Sequence, residues 1–317
     1  MDYIFKLRRL TDAVGTQWRD GVKMELYNGR LHQIGGWNVD GGSDNQHWVS
    51  DDGGTTWTQL SDGPWGVRHC GGCVVYRNRI WIWCGDNNAD LWWYTDADGW
   101  NEQVTVLNGL TSREHSTFLF KDGYAYVMMG TTYGNITLKN NNIYRINLRA
   151  DSDWEWELYS LVSGDMANID SACLVNFKGY TWFFGGGRLA GETPPYFTNL
   201  KIWKSLDLIT WELAKAEEPL FNSGIWGDAV ANEEYIFYIS GSNNVNSLTA
   251  DNRLMISDDG VNWNVHQEPI QISGRHATAM CIIGRSCIIS RGYQKNDCWL
   301  LRHIASQYRC DIGILND

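Results

Sequence analysis

Four arginines stand at matching places in the chain. Arg19, Arg68 and Arg113 each lie eleven residues ahead of an apolar segment that ends in glycine, and Arg275 lies ten ahead of another. Histidines accompany three of them as His69, His115 and His276, while Asp170 and Asp228 occupy comparable places in between. Guanidinium groups gathered at one place in an acidic protein attract anions and hold carboxylates in a two-pronged fashion. Arg19, Arg68, His69, Arg113, His115, Asp170, Asp228, Arg275 and His276 are therefore the candidate ligand-binding set. The same residues also suit a purely structural role, tying chain segments together, and the sequence leaves both readings open.

A second group lies in polar stretches rich in Asn, Thr, Asp and Tyr. These are TTYGNITLKNNN (131–142), GRLAGETPPYFTN (187–199) and SNNVNSLTADN (242–252), with shorter ones around Trp37-Asn38 and Asp86. Amide and hydroxyl groups of this kind hydrogen-bond sugar hydroxyls, and an aromatic ring packs on a pyranose face. Trp37, Asn38, Asp86, Tyr133, Arg188, Tyr196 and Asn243 are the candidate loop contacts. Ordinary solvated loops have the same composition. Asn135-Ile136-Thr137 is a glycosylation sequon that matters only on a eukaryotic secretory route.

The elements that position these residues are legible as a repeat. A short apolar strand ending in Gly recurs as RLHQIGG (30–36), RIWIWCG (79–85), YAYVMMG (124–130), YTWFFGG (180–186), YIFYISG (235–241) and RSCIISRG (285–292). Successive starts lie 49, 45, 56, 55 and 50 residues apart, which is the period of a propeller blade. Turn residues precede each copy, among them Asn28-Gly29, Asp122-Gly123 and Lys178-Gly179, so each copy is the second strand (b) of a hairpin whose first strand is a. A third strand, c, follows, often centred on an aromatic residue, as in His47-Trp48-Val49 and Leu91-Trp92-Trp93-Tyr94. The pattern predicts an all-β chain: one six-bladed β-propeller of four-stranded blades spanning 1–317, with blades near 13–61, 62–107, 108–161, 162–215, 216–268 and 269–305. The strand at 2–10 has no partner within the first unit. Pairing it with the last blade closes the ring and removes an open edge.

After strand c comes Ser50-Asp51-Asp52-Gly53-Gly54-Thr55-Thr56-Trp57, which closely resembles the Asp-box of sialidases and related propellers. Ser257, Asp259 and Trp263 belong to a shortened copy, and weaker ones stand at Ser205–Trp211 and Thr95–Trp100. In those families the box is a structural turn, which assigns Ser50, Asp52, Gly54, Thr56, Trp57, Ser257, Asp259 and Trp263 to the fold. The Gly doublets at Gly35-Gly36 and Gly185-Gly186 also resemble kelch repeats, whose arginines and histidines at the strand-a approach tie neighbouring blades together. The chain thus resembles a divergent kelch-like, Asp-box propeller.

Composition bounds the remaining choices. The net charge of −11 disfavours a nucleic-acid surface, and no apolar run is long enough to enter a membrane as a helix. The N-terminus MDYIFKLRRLTD has no apolar signal core, so cytoplasmic synthesis without export is expected. Eight cysteines are read as reduced and packed, although Cys73 and Cys84 are expected to face each other across a hairpin. The single Cys70-x-x-Cys73 has no second pair, so neither a metal nor a cofactor is expected. Trp81, Trp83, Trp182 and Trp203 sit mid-strand and are expected to pack between blades.

Function is then weighed between two classes. Complete fold signals beside incomplete catalytic ones favour a non-catalytic recognition or assembly propeller that binds a glycan or protein partner through its loop face. A virion component such as a phage tail or receptor-binding protein, working within a larger assembly, is one version. The alternative, implied by the resemblance, is a glycan-active enzyme of sialidase-like or sialic-acid-mutarotase-like type. Against the former, the N-terminal Phe-Arg-Ile-Pro motif is missing and no Tyr–Glu nucleophile pair is assignable.

Overall fold

The computed structural model describes residues 5–38, 40, 42–85, 88–103, 105–132, 135–188, 197–242, 251–266 and 272–304. It is an all-β propeller of six antiparallel blades. Blade one runs Lys23–Tyr27, Arg30–Ile34, His47–Ser50 and Thr58–Gln59, from the innermost strand outward. Blade two runs Gly72–Tyr76, Arg79–Trp83, Leu91–Thr95 and Gly99–Gln103. Blade three comprises Thr117–Lys121, Tyr124–Met128, Asn142–Asn147 and Glu157–Leu161. Blade four comprises Asp170–Phe177, Tyr180–Arg188, Ile202–Ser205 and Glu212–Lys215. Blade five is built from Asp228–Ala231, Ile236–Ile239, Leu254–Ser257 and Asn264–Val265. Blade six is built from Ala279–Ile283, Ser286–Ser290 and Cys298–His303, with Phe5–Thr11 as its outer strand.

That last pairing closes the ring. Phe5 lies opposite His303 and Leu7 opposite Leu301 in an antiparallel register. Alternation along the strand explains the choice of partner: Phe5 and Leu7 are buried, and Lys6 and Arg8 point to solvent. Between neighbouring blades lie six apolar seams. Trp81, Trp83, Val127 and Tyr144 fill the one between blades two and three, and Phe183 and Trp203 meet Tyr126 and Met128 between three and four. The seam between blades six and one, with Ile288 and Leu300 against Met24 and Leu31, is as continuous as the others. Burying the face of each sheet against the next stabilises every blade through its neighbours.

The cysteines follow the reduced reading with one correction. The hairpin register puts Cys73 opposite Ile82, and Cys84 falls beyond the end of its strand, so the two do not face each other. All seven cysteines among the described residues are free thiols.

The two ends of the ring differ in construction. The Asp52 carboxylate accepts hydrogen bonds from the Thr55 and Thr56 amides and the Thr56 hydroxyl, at 3.0, 2.8 and 2.7 Å. Ser50 Oγ accepts from the Gly54 amide at 2.8 Å, and the Trp57 indole donates to the Gly54 carbonyl at 3.1 Å. Ser257 and Asp259 repeat the pattern on the amides of Gly260, Val261 and Asn262. These c–d turns pack beside the a–b turns of the adjacent blade, as where Asn28 Nδ2 donates to Asp96 at 2.8 Å and Lys178 Nζ to the Asp258 carbonyl at 2.6 Å. The opposite end carries the strand-a approaches and the b–c loops.

Candidate ligand-binding mouth

At or just before the start of each inner strand the backbone enters the left-handed region. Gly21, Cys70, His115, Ser171, Trp226 and Ala277 have φ of +61°, +53°, +60°, +54°, +58° and +49°. Only glycine takes this conformation without strain, so five of the six positions are held there by their surroundings. Backbone hydrogen bonds between blades do the holding: Gly21 N donates to Ala277 O at 2.7 Å, Cys70 N to Gly21 O at 3.0 Å, Ser171 N to His115 O at 2.9 Å and Ala277 N to Trp226 O at 2.7 Å. The six residues form a hoop around the central channel. Their side chains are unequal: Gly21, Cys70, Ser171 and Ala277 are small, while Trp226 Nε1 donates to His115 Nδ1 at 3.2 Å, bridging blades five and three.

A polar cluster sits at one side of this mouth. The Asp20 carboxyl is 4% exposed and lies 3.3 Å from His69 Nε2 and 3.4 Å from His276 Nε2. Burial alone opposes ionisation of Asp20, but the two imidazoles outweigh it and hold its pKa below the usual carboxylate range. Cys70 Sγ approaches the same His69 nitrogen at 3.2 Å. A nucleophilic thiol relay needs the two ring nitrogens of a histidine to serve different partners, so this is not the geometry of a Cys-His-Asp triad.

Around the cluster runs an arc of partly exposed aromatic rings. His276 stacks on Tyr293 with centroids 4.7 Å apart and planes at 16°, and Trp226 lies 5.0 Å from His276 on its other side. Tyr293 in turn meets Trp18 edge-on at 5.1 Å and parallels Trp37 at 6.5 Å and 8°. An isolated bridge between Asp20 and Trp37 pins the first b–c loop beside the carboxylate.

The arginines of the sequence-derived set are placed elsewhere. Arg19, Arg68, Arg113 and Arg275 are between 0% and 3% exposed. Arg68 donates to the Cys84 carbonyl at 2.7 Å and to Asp90 at 2.8 Å, and Arg113 to the carbonyls of Met129 and Asn142 at 3.3 and 3.4 Å. Arg275 engages the Arg291 carbonyl at 3.0 Å and Asp297, and Arg19 pairs with Asp44. Each guanidinium clamps the b–c loop of its own blade, so none is presented to the mouth and none ties one blade to the next as the kelch resemblance implies. Burial lowers the pKa of Arg19 and Arg113, as expected for cations removed from water.

The other members of the set divide. His69, His115 and His276 do converge on the mouth. Asp170 is buried at the start of blade four and pairs with Lys139 of the preceding blade's b–c loop. Asp228 lies deeper, in the channel. Of the loop contacts, Trp37 belongs to the arc, and Asn38 is buried, its Oδ1 accepting from the Asp40 amide at 3.0 Å. Asp86, Tyr133, Tyr196, Asn243 and the side chain of Arg188 lie outside the described residues. The stretch 131–142 is not plain coil: Thr131–Thr132 and Asn135–Lys139 pair as a small hairpin, which also pairs with Arg113–Glu114.

A cavity of about 270 Å³ runs through the hoop and down from it, with His69, His115 and Trp226 in its lining. Lys23, Glu25 and Asp228 line it, enclosed by the inner strands yet facing channel space. Burial pushes Glu25 up to about 7 and Asp228 up to about 6, with Lys23 partly offsetting both. For Lys23, burial favours the neutral amine, but Asp228 and nearby thiols more than compensate and its pKa is raised. Trp18, Asp20, Lys23, Glu25, Trp226 and Tyr293 were absent from the sequence-derived set. Lys23 and Glu25 carried a signal, since charges at alternate places in the inner strand KMELY can only face a channel. Among the described residues, no group of three or more His, Cys, Asp or Glu is arranged to hold a metal ion.

Comparison with known proteins supports the architecture. No family profile matches the chain, and no curated protein matches it. Among solved structures it is similar to YjhT at 14% identity and a TM-score of 0.65, over 92% of this chain and 96% of that one. At that identity the likeness is one of fold, and the fold is that of a β-propeller.

Proposed function

We propose that this chain is a recognition propeller that binds a glycan at the channel mouth. The observation that carries the reading is the arc of Trp18, Trp37, Tyr293, His276 and Trp226 beside the buried Asp20 carboxylate. Partly exposed rings supply flat apolar faces for the C–H side of a pyranose. The His69 and His276 imidazoles, oriented by the buried Asp20 carboxylate, supply polar edges beside them for its hydroxyls. The Ser–Asp turns and Gly-ending strands support a kelch-like, Asp-box origin, and their position at the far end leaves the mouth free to specialise.

A glycan array probed with the purified chain, followed by titration calorimetry on the best hit, tests the reading. Trp37→Ala is expected to weaken binding at least tenfold while far-UV circular dichroism stays unchanged. Undiminished binding by this variant removes the mouth from consideration, and capture of a protein with no glycan bound favours a protein partner instead.

A glycan-active enzyme is the second reading, favoured by one feature: an ionised carboxylate hydrogen-bonded to two imidazoles orients them as candidate acid–base groups. Turnover of sialosides or aryl glycosides, lost in Asp20→Asn, would replace the first reading by this one.

A further inference from the structure

The channel below the hoop holds a charge arrangement that glycan recognition at the mouth does not use. Lys23 comes from blade one and Asp228 from blade five, each two residues beyond its hoop residue, with blade six between them. Glu25 lies one step further down the same strand as Lys23. Lys23 is the one Lys or Arg on the cavity lining among the described residues, and no ion pair or hydrogen bond there engages its ammonium. Lys23 and the two carboxyls sense one another electrostatically and line the one cavity. Phe118, Phe120, Val230 and Met280 supply apolar lining at similar depth.

Charges of both signs lining one cavity without a hydrogen-bonded partner are costly to maintain empty, because each loses hydration without gaining a partner. Electroneutrality then narrows the occupant. A monoanion would satisfy Lys23 but face two carboxyls. A monocation would satisfy the carboxyls but meet the Lys23 ammonium. A ligand carrying both charges satisfies both signs at once, and its remaining bulk falls among the aromatic and aliphatic side chains of the lining.

We propose that the channel is a binding site for a free α-amino acid with an apolar side chain, its carboxylate on Lys23, its ammonium on Asp228 and Glu25, and its side chain toward Phe118 and Phe120. The cavity adjoins the mouth and shares Trp226 and His69 with it, but the proposal does not rest on the glycan reading. Its volume of about 270 Å³ accommodates an amino acid rather than a sugar chain. Peptide-bonded residues are excluded, because they lack one charge or the other.

The experiment is titration calorimetry of the full chain at pH 7 with L-leucine, L-methionine and L-phenylalanine. Two leucine analogues accompany them: 4-methylpentanoate, which lacks the ammonium, and isopentylamine, which lacks the carboxylate. At least one amino acid is expected to bind saturably, with each analogue at least tenfold weaker than leucine. Lys23→Met and Asp228→Asn, each checked for an unchanged thermal midpoint, are expected to weaken amino-acid binding at least tenfold, while Trp37→Ala leaves it unchanged. Absence of saturable binding for all three amino acids overturns the proposal. So does equal binding of leucine and 4-methylpentanoate, or full binding by both channel variants. A glycan-binding failure with intact leucine binding, or the reverse, separates the fate of the two sites.

Discussion

At the scale of single residues, the interior is as informative as the mouth. His32 Nδ1 and His47 Nε2 lie 2.8 Å apart between blades one and two, and the Trp100 indole donates to His47 Nδ1 at 3.2 Å. Burial pushes the pKa of His32 down to about 4 and that of His47 down to about 3, with Arg30 adding to both and the His32 imidazole adding to the shift of His47. The unfolded chain therefore takes up these protons first as the pH falls. Stability from the pair is fully present above about 6.5 and lost as the pH drops toward 4, on the order of 3 kcal/mol for one such group. Glu25 works in the opposite direction: its raised pKa of about 7 means that stability is lost as the pH rises through that value. Urea denaturation from pH 4 to 8 should therefore show the two contributions opposing each other between about 4.5 and 6.5, with the Glu25 loss continuing alone toward 7. Glu25→Gln should remove that alkaline decline and steepen the fall on the acid side; an unchanged alkaline loss in that variant contradicts the assignment.

Among the elements, the c–d turns separate stability from recognition. Asp52→Ala removes the acceptor for two amides and two hydroxyls, a loss of about 1–2 kcal/mol in a two-state urea titration. The turn stands at the end of the ring away from the mouth, so ligand affinity should not change; altered affinity would mean that the two ends are coupled. Much of this level was legible in the sequence. Turn residues, Gly-ending strands and the Ser-Asp-Gly-Trp pattern act over a few neighbouring residues, and such local physics leaves local signatures. The mouth was far less so. Trp18, Trp37, Trp226 and Tyr293 come from separated parts of the chain and share no period. The left-handed backbone at Cys70, His115, Ser171, Trp226 and Ala277 is imposed by neighbouring blades rather than by residue type. The arginines misled for a related reason: their regular spacing reflects a clamp needed in several blades, and regularity of that kind marks architecture more than chemistry.

For the whole molecule, the decisive element is the strand that arrives first and packs last. Phe5 is 1% exposed and Leu7 8%, both against blades five and six, so the outer strand of the last blade is a structural part of the ring. Deleting residues 1–11 should cost about 4 kcal/mol from these two side chains alone and expose the edge of Cys298–His303. Size-exclusion chromatography and thermal melts are expected to show self-association and a lower midpoint. A monomer of unchanged midpoint would refute the closure role. The same reasoning explains why this pairing was legible: an amphipathic strand at one terminus and a three-stranded unit at the other leave one economical solution.

The hoop of left-handed residues has an evolutionary corollary. Its inter-blade bonds run largely from amide to carbonyl, so apart from the Trp226–His115 bridge the side chains projecting from it carry little duty in holding the ring together. Positions such as Cys70 and Ala277 are thereby released to drift, and a descendant could exchange its ligand by rewriting them while inheriting the scaffold intact. Asparagine and glycine, which tolerate that backbone best, are the substitutions through which such drift would most easily pass.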